Sequence, residues 1–250
     1  MAIGDTPVLA LIPARLESTR FPRKALAADT GAPLIQHVAE SAARAGVVDR
    51  VVVATDSTEI AAAVESFGGS AVLTRADHLN GASRIAEACE TLALPDQAII
   101  INVQGDEPEI EPEAIDAVAR ALGGSDAPVA TVASPMGDGE DVADPNLVKV
   151  VVNQASEALY FSRAAIPCDR GGASTGEPLR HVGLYAYRRS FLREYTAMAP
   201  TPLEACERLE QLRILEHGRR IVVVIHGCAG VGIDTPEQYA RFVTRWRARR

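Results

Sequence analysis

The segment Leu11 to Lys24 brings basic and hydroxyl side chains together just after the first apolar run of the chain. They are Arg15, Ser18, Thr19, Arg20, Arg23 and Lys24. Guanidinium and ammonium groups can match the charge of a polyphosphate, and hydroxyls can fill its remaining acceptor sites. The glycines of a P-loop or a dinucleotide-binding turn are absent. The segment predicts a phosphate site of another type, because a merely solvated basic loop would leave its position at a strand end unexplained.

Acidic side chains follow a second apolar run, Ala98 to Val103, after which the sequence continues with Asp106 and Glu107. Carboxylates beside a triphosphate repel it unless a hard cation lies between them, and Mg²⁺ prefers such oxygen ligands. Asp234 is a candidate second carboxylate, since it closes a later strand-like segment. The local sequence favours another role for Asp234, because Asp or Thr before Pro236 is a common start of a helix.

Short β-branched runs alternate with helical patterns in the first half of the chain, an order typical of βαβ units and a parallel sheet. The predicted strands are Val8 to Ile12, Val51 to Thr55, Ala71 to Leu73, Ala98 to Val103 and Val129 to Ala133. The predicted helices are Leu34 to Ala45, Glu59 to Phe67, Arg84 to Leu92 and Pro112 to Leu122. Several strands are apolar on both faces, which indicates helices on each side of the sheet. Ligands are then expected at the carboxyl ends of the strands.

The pattern changes after Gly137, where an acidic segment rich in Gly and Pro precedes short strand-like runs. These runs are Val148 to Val152, Ala158 to Phe161 and Gly183 to Tyr187. They predict a smaller antiparallel insertion, about residues 137–190, within a single domain spanning 1–250. Arg170 to Pro178 is predicted to be a flexible loop. The chain is predicted to close with a helix, a strand and a helix, which are Leu203 to His217, Ile221 to Ile225 and Pro236 to Trp246.

Composition and charge limit the class of protein. The chain has 250 residues, of which 47% are hydrophobic, and a formal net charge of −8. It can therefore bury a sizeable core, and it has no bulk attraction to nucleic acid or anionic lipid. The arginines at the C-terminus are more typical of a helix end than of an RNA-binding tail. Without an apolar run of membrane-spanning length or a signal-peptide pattern, we expect a cytoplasmic protein with no membrane partner.

The four cysteines are widely separated and include no C-x-x-C pair. Metal and redox motifs built from cysteine usually show a short, characteristic spacing. The sequence therefore predicts four reduced thiols without a zinc or redox motif.

Motifs along nearly the whole chain resemble those of the 3-deoxy-manno-octulosonate cytidylyltransferase family, the CMP-Kdo synthetases. The basic segment resembles the N-terminal signature of sugar nucleotidylyltransferases. The further matching segments are VATD (Val53 to Asp56), TRADH (Thr74 to His78), INVQGDEP (Ile101 to Pro108), NLVKVV (Asn146 to Val151), ALYFSRAAIP (Ala158 to Pro167), HVGLYAYR (His181 to Arg188), LEQLRIL (Leu209 to Leu215) and GIDTPEQ (Gly232 to Gln238). Each is weak alone, but their joint order and spacing are specific.

The resemblance implies an α/β fold of three layers, like that of nucleotide-diphospho-sugar transferases. Its sheet would be mixed and mostly parallel, with the smaller antiparallel insertion. It also implies CTP and Kdo as substrates, Mg²⁺ as the metal, a part in lipopolysaccharide biosynthesis, and a homodimer formed through the insertion.

The resemblance implies roles for particular residues as well. Those implied in catalysis are Arg15, Lys24 and Asp106. Those implied to hold Mg²⁺ are Asp106 and Asp234, which reverses the local preference for a helix cap at Asp234. The nucleotide would contact Ala14, Ser18, Arg20, Thr74, Arg75, Gly81 and Arg84. The sugar acid would contact Gln104, Arg163, His181, Tyr185, Glu210 and Gln211.

The sugar-acid set is chemically reasonable, because an Arg can hold a carboxylate in a bidentate pair and the other side chains suit hydroxyls. Each member also has an ordinary structural alternative. Tyr185 could be a core residue of a strand, and His181 could be structural. Glu210 could pair with Arg213 at i,i+3 on a helix surface.

The sequence departs from the family pattern at a few positions. Ala82 and Ser83 replace Thr and an acidic residue in the segment that contacts cytidine, so strict selection of cytidine is open. Arg23 stands where Gly is usual, Ala25 where Pro is usual, and Cys168 where Trp is usual.

The expected reaction is attack by the anomeric hydroxyl of Kdo on the α-phosphorus of CTP, with release of pyrophosphate. Such transfer depends on positioning and charge neutralisation and requires no protein nucleophile. No dedicated general base is evident in the sequence, and His181 is the one candidate. The alternatives are a cytidylyltransferase for 8-amino-Kdo or a sialic-type acid, and a non-catalytic nucleotide-binding homologue. Retention of Arg15, Lys24, Asp106 and Asp234 argues against the last.

Overall fold

The computed structural model describes residues 3–4, 6–18, 20–137, 139–168, 170, 177–228 and 232–249. The strands within these ranges are β1 Val8–Ala14, β2 Arg50–Thr55, β3 Ala71–Leu73, β4 Ile99–Asn102, β5 Val129–Pro135, β6 Lys149–Val152, β7 Ala158–Ser162, β8 Leu179–Arg188 and β9 Ile221–Ile225. The α-helices are α1 Leu34–Ala43, α2 Thr58–Ser66, α3 Gly81–Thr91, α4 Pro112–Gly123, α5 Arg189–Ala197, α6 Pro202–Glu207, α7 Gln211–Glu216 and α8 Pro236–Ala248. None of these described helices is long and apolar enough to cross a membrane.

One mixed sheet organises the molecule, with strand order β3-β2-β1-β4-β8-β5-β9. The first four strands of this order are parallel to one another, β8 is antiparallel to both β4 and β5, and β9 is parallel to β5. Strands β6 and β7 form an antiparallel pair that joins the sheet through the first residues of β8. The predicted mixed, mostly parallel sheet is therefore confirmed.

Strand β1 shows why the central strands are apolar on both faces. Val8, Ala10 and Ile12 belong to the core cluster that also contains buried residues of α1 and α4. The alternate residues Leu9 and Leu11 belong to the opposite cluster, which contains buried residues of α3 and α5. Because successive side chains of a strand point to opposite faces, each strand contributes to both cores. The predicted helices on both sides of the sheet are thus present.

Strand β8 is longer than predicted and serves two parts of the molecule. Its beginning pairs with β6, whereas its later residues lie between β4 and β5 in the main sheet. The insertion outlined from the sequence therefore shares this strand with the main sheet. Helix α5 follows β8 directly and was not predicted. It buries Phe191, Leu192 and Tyr195, whose i, i+1 and i+4 spacing is a helical pattern that the prediction did not use.

The single helix predicted over Leu203 to His217 is wrong, because the chain forms two short helices there. Thr201 and Glu204 form a capping box that starts α6. Arg208 then adopts φ 53°, in the left-handed region, and ends α6 without a Gly or Pro to announce the break. The turn buries Leu209 and separates α6 from α7. Of the predicted loop Arg170 to Pro178, residues 171–176 lie outside the described residues, as does Thr19 of the basic segment.

Candidate functional site

A cleft of about 320 Å³ opens where the carboxyl ends of β1 and β4 meet the start of α3. Ten of the predicted site residues line it: Ala14, Arg15, Ser18, Arg20, Lys24, Gly81, Arg84, Gln104, Asp106 and Asp234. The structure therefore brings the predicted basic segment and both predicted metal carboxylates to one place. We call this the first cleft.

Lys24 is the cation at the bottom of the first cleft, with a side chain only 15% exposed. Its Nζ donates to Asp106 Oδ2 at 2.8 Å and to the Ile233 carbonyl at 2.6 Å, and it lies 3.4 Å from Asp234 Oδ1. Arg20 approaches the same Asp234 oxygen at 3.0 Å. The two carboxylates thus converge on a point that requires a positive charge.

The helix cap that the local sequence favoured for Asp234 is taken by its neighbour. Thr235 is the N-cap of α8, and its hydroxyl accepts a hydrogen bond from the Gln238 amide at 3.3 Å. The Gln238 side chain completes the capping box and also accepts from the Asp234 amide at 2.7 Å. The Asp234 carboxylate therefore does not cap α8 and pairs with Lys24 and Arg20 instead.

Two backbone positions allow the loops to approach each other closely. A Cβ on Gly105 would lie 2.7 Å from the Pro13 carbonyl oxygen, so only glycine fits where the end of β4 passes β1. Arg23 adopts φ 59°, the left-handed region in which glycine is least strained. This conformation explains the glycine usual at that position. The Arg23 guanidinium pairs with Glu59 and does not line the first cleft.

The start of α3 forms the opposite wall of the first cleft. Asn80 caps this helix by accepting the Ser83 amide at 2.8 Å. Arg84, one turn further, is buried and donates to Asp56 at 2.8 Å and to the Thr74 hydroxyl at 2.7 Å.

Thr74 and Arg75 were predicted to contact the nucleotide, and neither lines the first cleft. The Thr74 hydroxyl accepts a hydrogen bond from Arg84. Arg75 is exposed and pairs with Asp77 at 3.0 Å. The structure places Thr74 as a support for Arg84 and Arg75 outside the cleft.

A second cleft of about 270 Å³ adjoins the first, and both are lined by Gly81 and Gln104. The predicted sugar-acid residues that line it are Gln104, Tyr185, Glu210 and Gln211. The lining also contains polar residues that were not predicted from the sequence, which are Asn102, Tyr187, Tyr195 and Arg208. The sequence feature that could have indicated Arg208 is its position directly before the Leu-Glu-Gln segment.

Arg163 and His181, two predicted sugar-acid residues, lie outside this second lining. Arg163 donates to the carbonyls of Glu207 at 2.8 Å and Pro145 at 2.9 Å. His181 Nε2 lies 3.0 Å from the Thr131 hydroxyl. Burial, with a smaller contribution from the neighbouring Arg180, lowers the pKa of His181 to about 3. Its imidazole is therefore neutral at physiological pH and a very weak base.

The local alternatives for Tyr185 and Glu210 have different outcomes. Tyr185 is buried and stacks on Tyr187 with ring centroids 5.6 Å apart, yet it also lines the second cleft. The surface pair of Glu210 with Arg213 is absent among the ion pairs of the described residues, where Arg213 binds Glu204 with its Nε at 2.7 Å. Desolvation in the cleft raises the pKa of the Glu210 carboxyl.

The acidic pair of the first cleft fits a divalent cation. Asp106 and Asp234 supply hard oxygen atoms that converge on Lys24 Nζ, and both side chains keep access to solvent. Glu107 is a third carboxyl beside them. Its burial, and to a lesser degree the charge of Asp106, raise its pKa to about 7, while Arg180 opposes this shift.

Comparison with known proteins places this arrangement in a family. The family model for cytidylyltransferases matches residues 9–221. Over 232 residues the chain is 48% identical to a 3-deoxy-manno-octulosonate cytidylyltransferase of Syntrophobacter fumaroxidans, covering 92% of this chain and 93% of that protein. The corresponding protein of Leptothrix cholodnii is 49% identical, with 92% and 88% covered. The chain belongs to the 3-deoxy-manno-octulosonate cytidylyltransferase family.

Solved structures agree with this membership. The structure of a CMP:2-keto-3-deoxy-manno-octonic acid synthetase complexed with CTP has a TM-score of 0.92 and 38% identity, covering 98% of this chain and all of that one. A 4-diphosphocytidyl-2C-methyl-D-erythritol synthase shares the fold with a TM-score of 0.64 and 16% identity. As a member of the cytidylyltransferase family, the chain is a nucleotidyltransferase enzyme.

Proposed function

We propose that this enzyme transfers a cytidylyl group from CTP to the anomeric hydroxyl of Kdo and releases pyrophosphate. The observation that carries the proposal is the junction of the two clefts at Gly81 and Gln104. One cleft is lined by cations suited to a triphosphate, and the other by hydroxyl, amide and charged groups suited to a sugar acid. A nucleophile in the second cleft then meets a phosphate in the first.

The triphosphate is bound by the basic side chains of the first cleft. Arg15 directly follows β1 and is exposed, and Arg20 and Lys24 lie further along the same segment. All three line the cleft. Charge-assisted hydrogen bonds from such groups neutralise the developing negative charge on pyrophosphate as it leaves. When the nucleotide binds, Lys24 gives up part of its contact with Asp106 and Asp234 and contacts the phosphates instead.

Asp106 and Asp234 are the residues that would hold Mg²⁺. When bound, the ion supplies Lewis-acid neutralisation of the phosphates and favours ionisation of a hydroxyl beside it. Lys24 keeps the two carboxylates compensated before the nucleotide arrives.

The sugar acid is held by the second cleft. Arg208 offers a guanidinium for the Kdo carboxylate. Glu210 accepts hydrogen bonds from the Kdo hydroxyls, and Gln211 can accept from them or donate to them. Arg163 anchors the turn that carries Arg208 through the Glu207 carbonyl at 2.8 Å and the Arg208 carbonyl at 3.5 Å. We assign Arg163 a positioning role for that turn.

The transfer needs no protein nucleophile. The anomeric oxygen forms a bond to the α-phosphorus of CTP, the bond from that phosphorus to the bridging oxygen breaks, and the hydroxyl proton passes to solvent. His181 is unsuited as the base, since a group whose conjugate acid has a pKa of about 3 takes up protons poorly near neutrality. Catalysis depends on orientation in the joined clefts and on charge neutralisation.

We further propose a cytoplasmic homodimer that supplies CMP-Kdo for lipopolysaccharide biosynthesis. The requirement for CTP supports the compartment. The large exposed apolar side chain on β7, Leu159 at 61%, supports an association through the antiparallel part of the sheet.

A pyrophosphate-release assay tests the proposed reaction. It crosses the four ribonucleoside triphosphates with Kdo, 8-amino-Kdo and N-acetylneuraminate, with and without Mg²⁺. We expect rapid release with CTP, Kdo and Mg²⁺ together. Equal or better turnover of 8-amino-Kdo or N-acetylneuraminate would reassign the sugar acid. UTP matching CTP in kcat/KM would refute the selection of cytidine, which Ala82 and Ser83 put to the test because they replace the residues usual in that segment.

A further inference from the structure

Three residues with three different metal-binding atoms meet outside the lining of the first cleft. Glu111 precedes α4, and His226 and Cys228 follow β9. Glu111 Oε2 lies 3.2 Å from His226 Nε2, and the ligand atoms of all three residues lie within 4.8 Å of one another. Within the described ranges, no other group of three His, Cys, Asp or Glu residues meets this distance. These groups take no part in the proposed transfer.

The donor set selects a class of metal. A carboxylate oxygen, an imidazole nitrogen and a thiolate sulfur together suit Zn²⁺ and related transition metals, whereas Mg²⁺ and Ca²⁺ prefer oxygen alone. Ligands about 2.0–2.2 Å from a tetrahedral ion lie roughly 3.3 Å apart. The 3.2 Å between Glu111 and His226 matches that separation. A water molecule can complete the fourth position.

The backbone that carries the ligands is fixed to the sheet. The His226 amide donates to the Ala133 carbonyl at 2.8 Å, and the Cys228 amide donates to the Ser134 hydroxyl at 3.3 Å. The Cys228 carbonyl accepts from Arg180 at 2.8 Å. The backbone of two of the three ligands is therefore held in place without a metal, which reduces the cost of ordering them on binding.

Accessibility at the cluster suits a bound ion. Cys228 is only 6% exposed, so a thiolate there would be shielded from water. The side chains of His226 and Glu111 are 27% and 35% exposed and leave a path for entry. Burial raises the pKa of the Cys228 thiol to about 11, so metal binding must displace a proton and should strengthen as pH rises.

We propose that Glu111, His226 and Cys228 bind one zinc-class divalent ion at a site separate from Asp106 and Asp234. The ion joins the connection after β9 to the start of α4. In the sequence that connection continues to Asp234 by way of residues 229–231, which lie outside the described residues, and the Ile233 amide donates to the Asp106 carbonyl at 2.8 Å. The site is thus a structural tether for the segment that carries a carboxylate of the first cleft.

Zinc binding to the full-length protein tests the proposal without any substrate. Protein stripped with a chelator is titrated with Zn²⁺ against a chromophoric competitor, in excess Mg²⁺ so that oxygen sites are saturated. We expect one equivalent to bind. Co²⁺ in place of Zn²⁺ should show a thiolate-to-metal charge-transfer band in the near ultraviolet.

Four variants separate the cluster from incidental binding. His226→Gln and Cys228→Ser should each weaken Zn²⁺ binding by at least roughly 10- to 100-fold. That is the loss in metal affinity seen when a residue that only orients a ligand is removed, and these variants remove a ligand itself. Cys206→Ser and His217→Gln, which change an exposed free thiol and an exposed imidazole, should bind Zn²⁺ like the unmodified protein. The charge-transfer band should disappear in Cys228→Ser and persist in Cys206→Ser.

The thermal readout keeps the test decisive if buried Cys228→Ser folds poorly. Zn²⁺ should raise the Tm of the unmodified protein and leave that of His226→Gln unchanged. Equal Zn²⁺ affinity in the unmodified protein and His226→Gln would overturn the proposal, as would loss of the Co²⁺ band in Cys206→Ser. Because no nucleotide or sugar is present, failure here leaves the proposed cytidylyl transfer unaffected.

Discussion

The first cleft takes three of its four Arg and Lys side chains from one stretch of chain, whereas the second cleft is assembled from several distant segments. Arg15, Arg20 and Lys24 all follow β1, while Asp106 follows the neighbouring strand β4 and Asp234 directly precedes the N-cap of α8. In the second cleft, Tyr185 comes from β8, Tyr195 from α5, and Arg208 from the turn between two short helices. A site for a constant group, a triphosphate, can thus reside in one loop, while a site for a particular sugar acid needs many separate contributions.

The two clefts also differ in how their charges are balanced. Lys24 in the first cleft contacts both Asp106 and Asp234, and Arg20 also pairs with Asp234. In the second cleft Arg208 is exposed, and desolvation raises the pKa of Glu210. We therefore expect changes in the first cleft to damage the chemical step, and changes in the second to affect binding of the sugar acid.

The largest effect is expected at Lys24. Lys24→Met removes a charge-assisted contact to phosphate and leaves Asp106 without its basic partner, so kcat/KM should fall by about 10²-fold or more. Pyrophosphate release measures this loss, and Arg120→Met, at an exposed helical ion pair, is the control. A change of less than about threefold in Lys24→Met, the size expected for a surface lysine, would return the basic segment to an ordinary solvated loop.

A smaller and more selective effect is expected at Arg208. Arg208→Gln should raise the KM for Kdo by roughly 10- to 100-fold, because a hydrogen bond to a charged group contributes about 1.5–3 kcal/mol. The KM for CTP should stay constant. Arg163→Gln, which only loosens the turn, should have a weaker effect of the same kind. If Arg163→Gln raised the KM for Kdo more than Arg208→Gln did, the assignment of the sugar carboxylate would pass to Arg163.

His181 should affect stability rather than the pH profile of turnover. In the folded protein the pKa of the imidazole is about 3, so the ring stays neutral until the pH falls to that value. In the unfolded chain it gains a proton near pH 6.5. The unfolded state therefore binds more protons between these values, and stability falls as pH falls through that window. At pH 5 the loss is about 2 kcal/mol.

Urea unfolding at pH 8 and pH 5 measures this effect in the unmodified protein and in His181→Gln. The variant should be less sensitive to acid by about the same 2 kcal/mol. Equal pH sensitivity in both proteins would show that the imidazole titrates alike when folded and unfolded. Thr131, the hydroxyl partner of His181 Nε2, carries no charge that could imitate the result.

The smallest effect is expected at Arg23. Arg23→Gly removes the backbone strain of a non-glycine residue in the left-handed region and loses only an exposed ion pair with Glu59. The protein should therefore be stabilised by up to about 1 kcal/mol. The urea midpoint measures it, and Arg44→Gly at an ordinary helical φ is the control that should lose stability. Destabilisation by Arg23→Gly would mean that its guanidinium contributes more than its geometry costs.

The sequence predicted the first cleft better than the second for a physical reason. Parallel strands bring their carboxyl ends to one edge, so a motif after β1 and another after β4 had to meet. The second cleft depends on a left-handed turn at Arg208, which no Gly or Pro marks, and on α5, a nine-residue helix that was not predicted although its apolar residues have helical spacing. The Glu111, His226 and Cys228 cluster was likewise invisible, because its members are far apart in the chain and meet only through the fold.

Binding of CTP in the absence of metal, measured on Asp106→Asn and Asp234→Asn, tests the central claim most directly. Each carboxylate repels the triphosphate when no cation is present, so both variants should bind metal-free CTP as tightly as the unmodified protein or more tightly. Pyrophosphate release with Mg²⁺ should nearly vanish in each, and the double variant should be little worse. Thr235→Ala, which removes only the cap of α8, should retain activity. Near-normal Mg²⁺-dependent turnover in Asp234→Asn would contradict the account and leave Asp106 to bind the ion with another partner, Glu107 first.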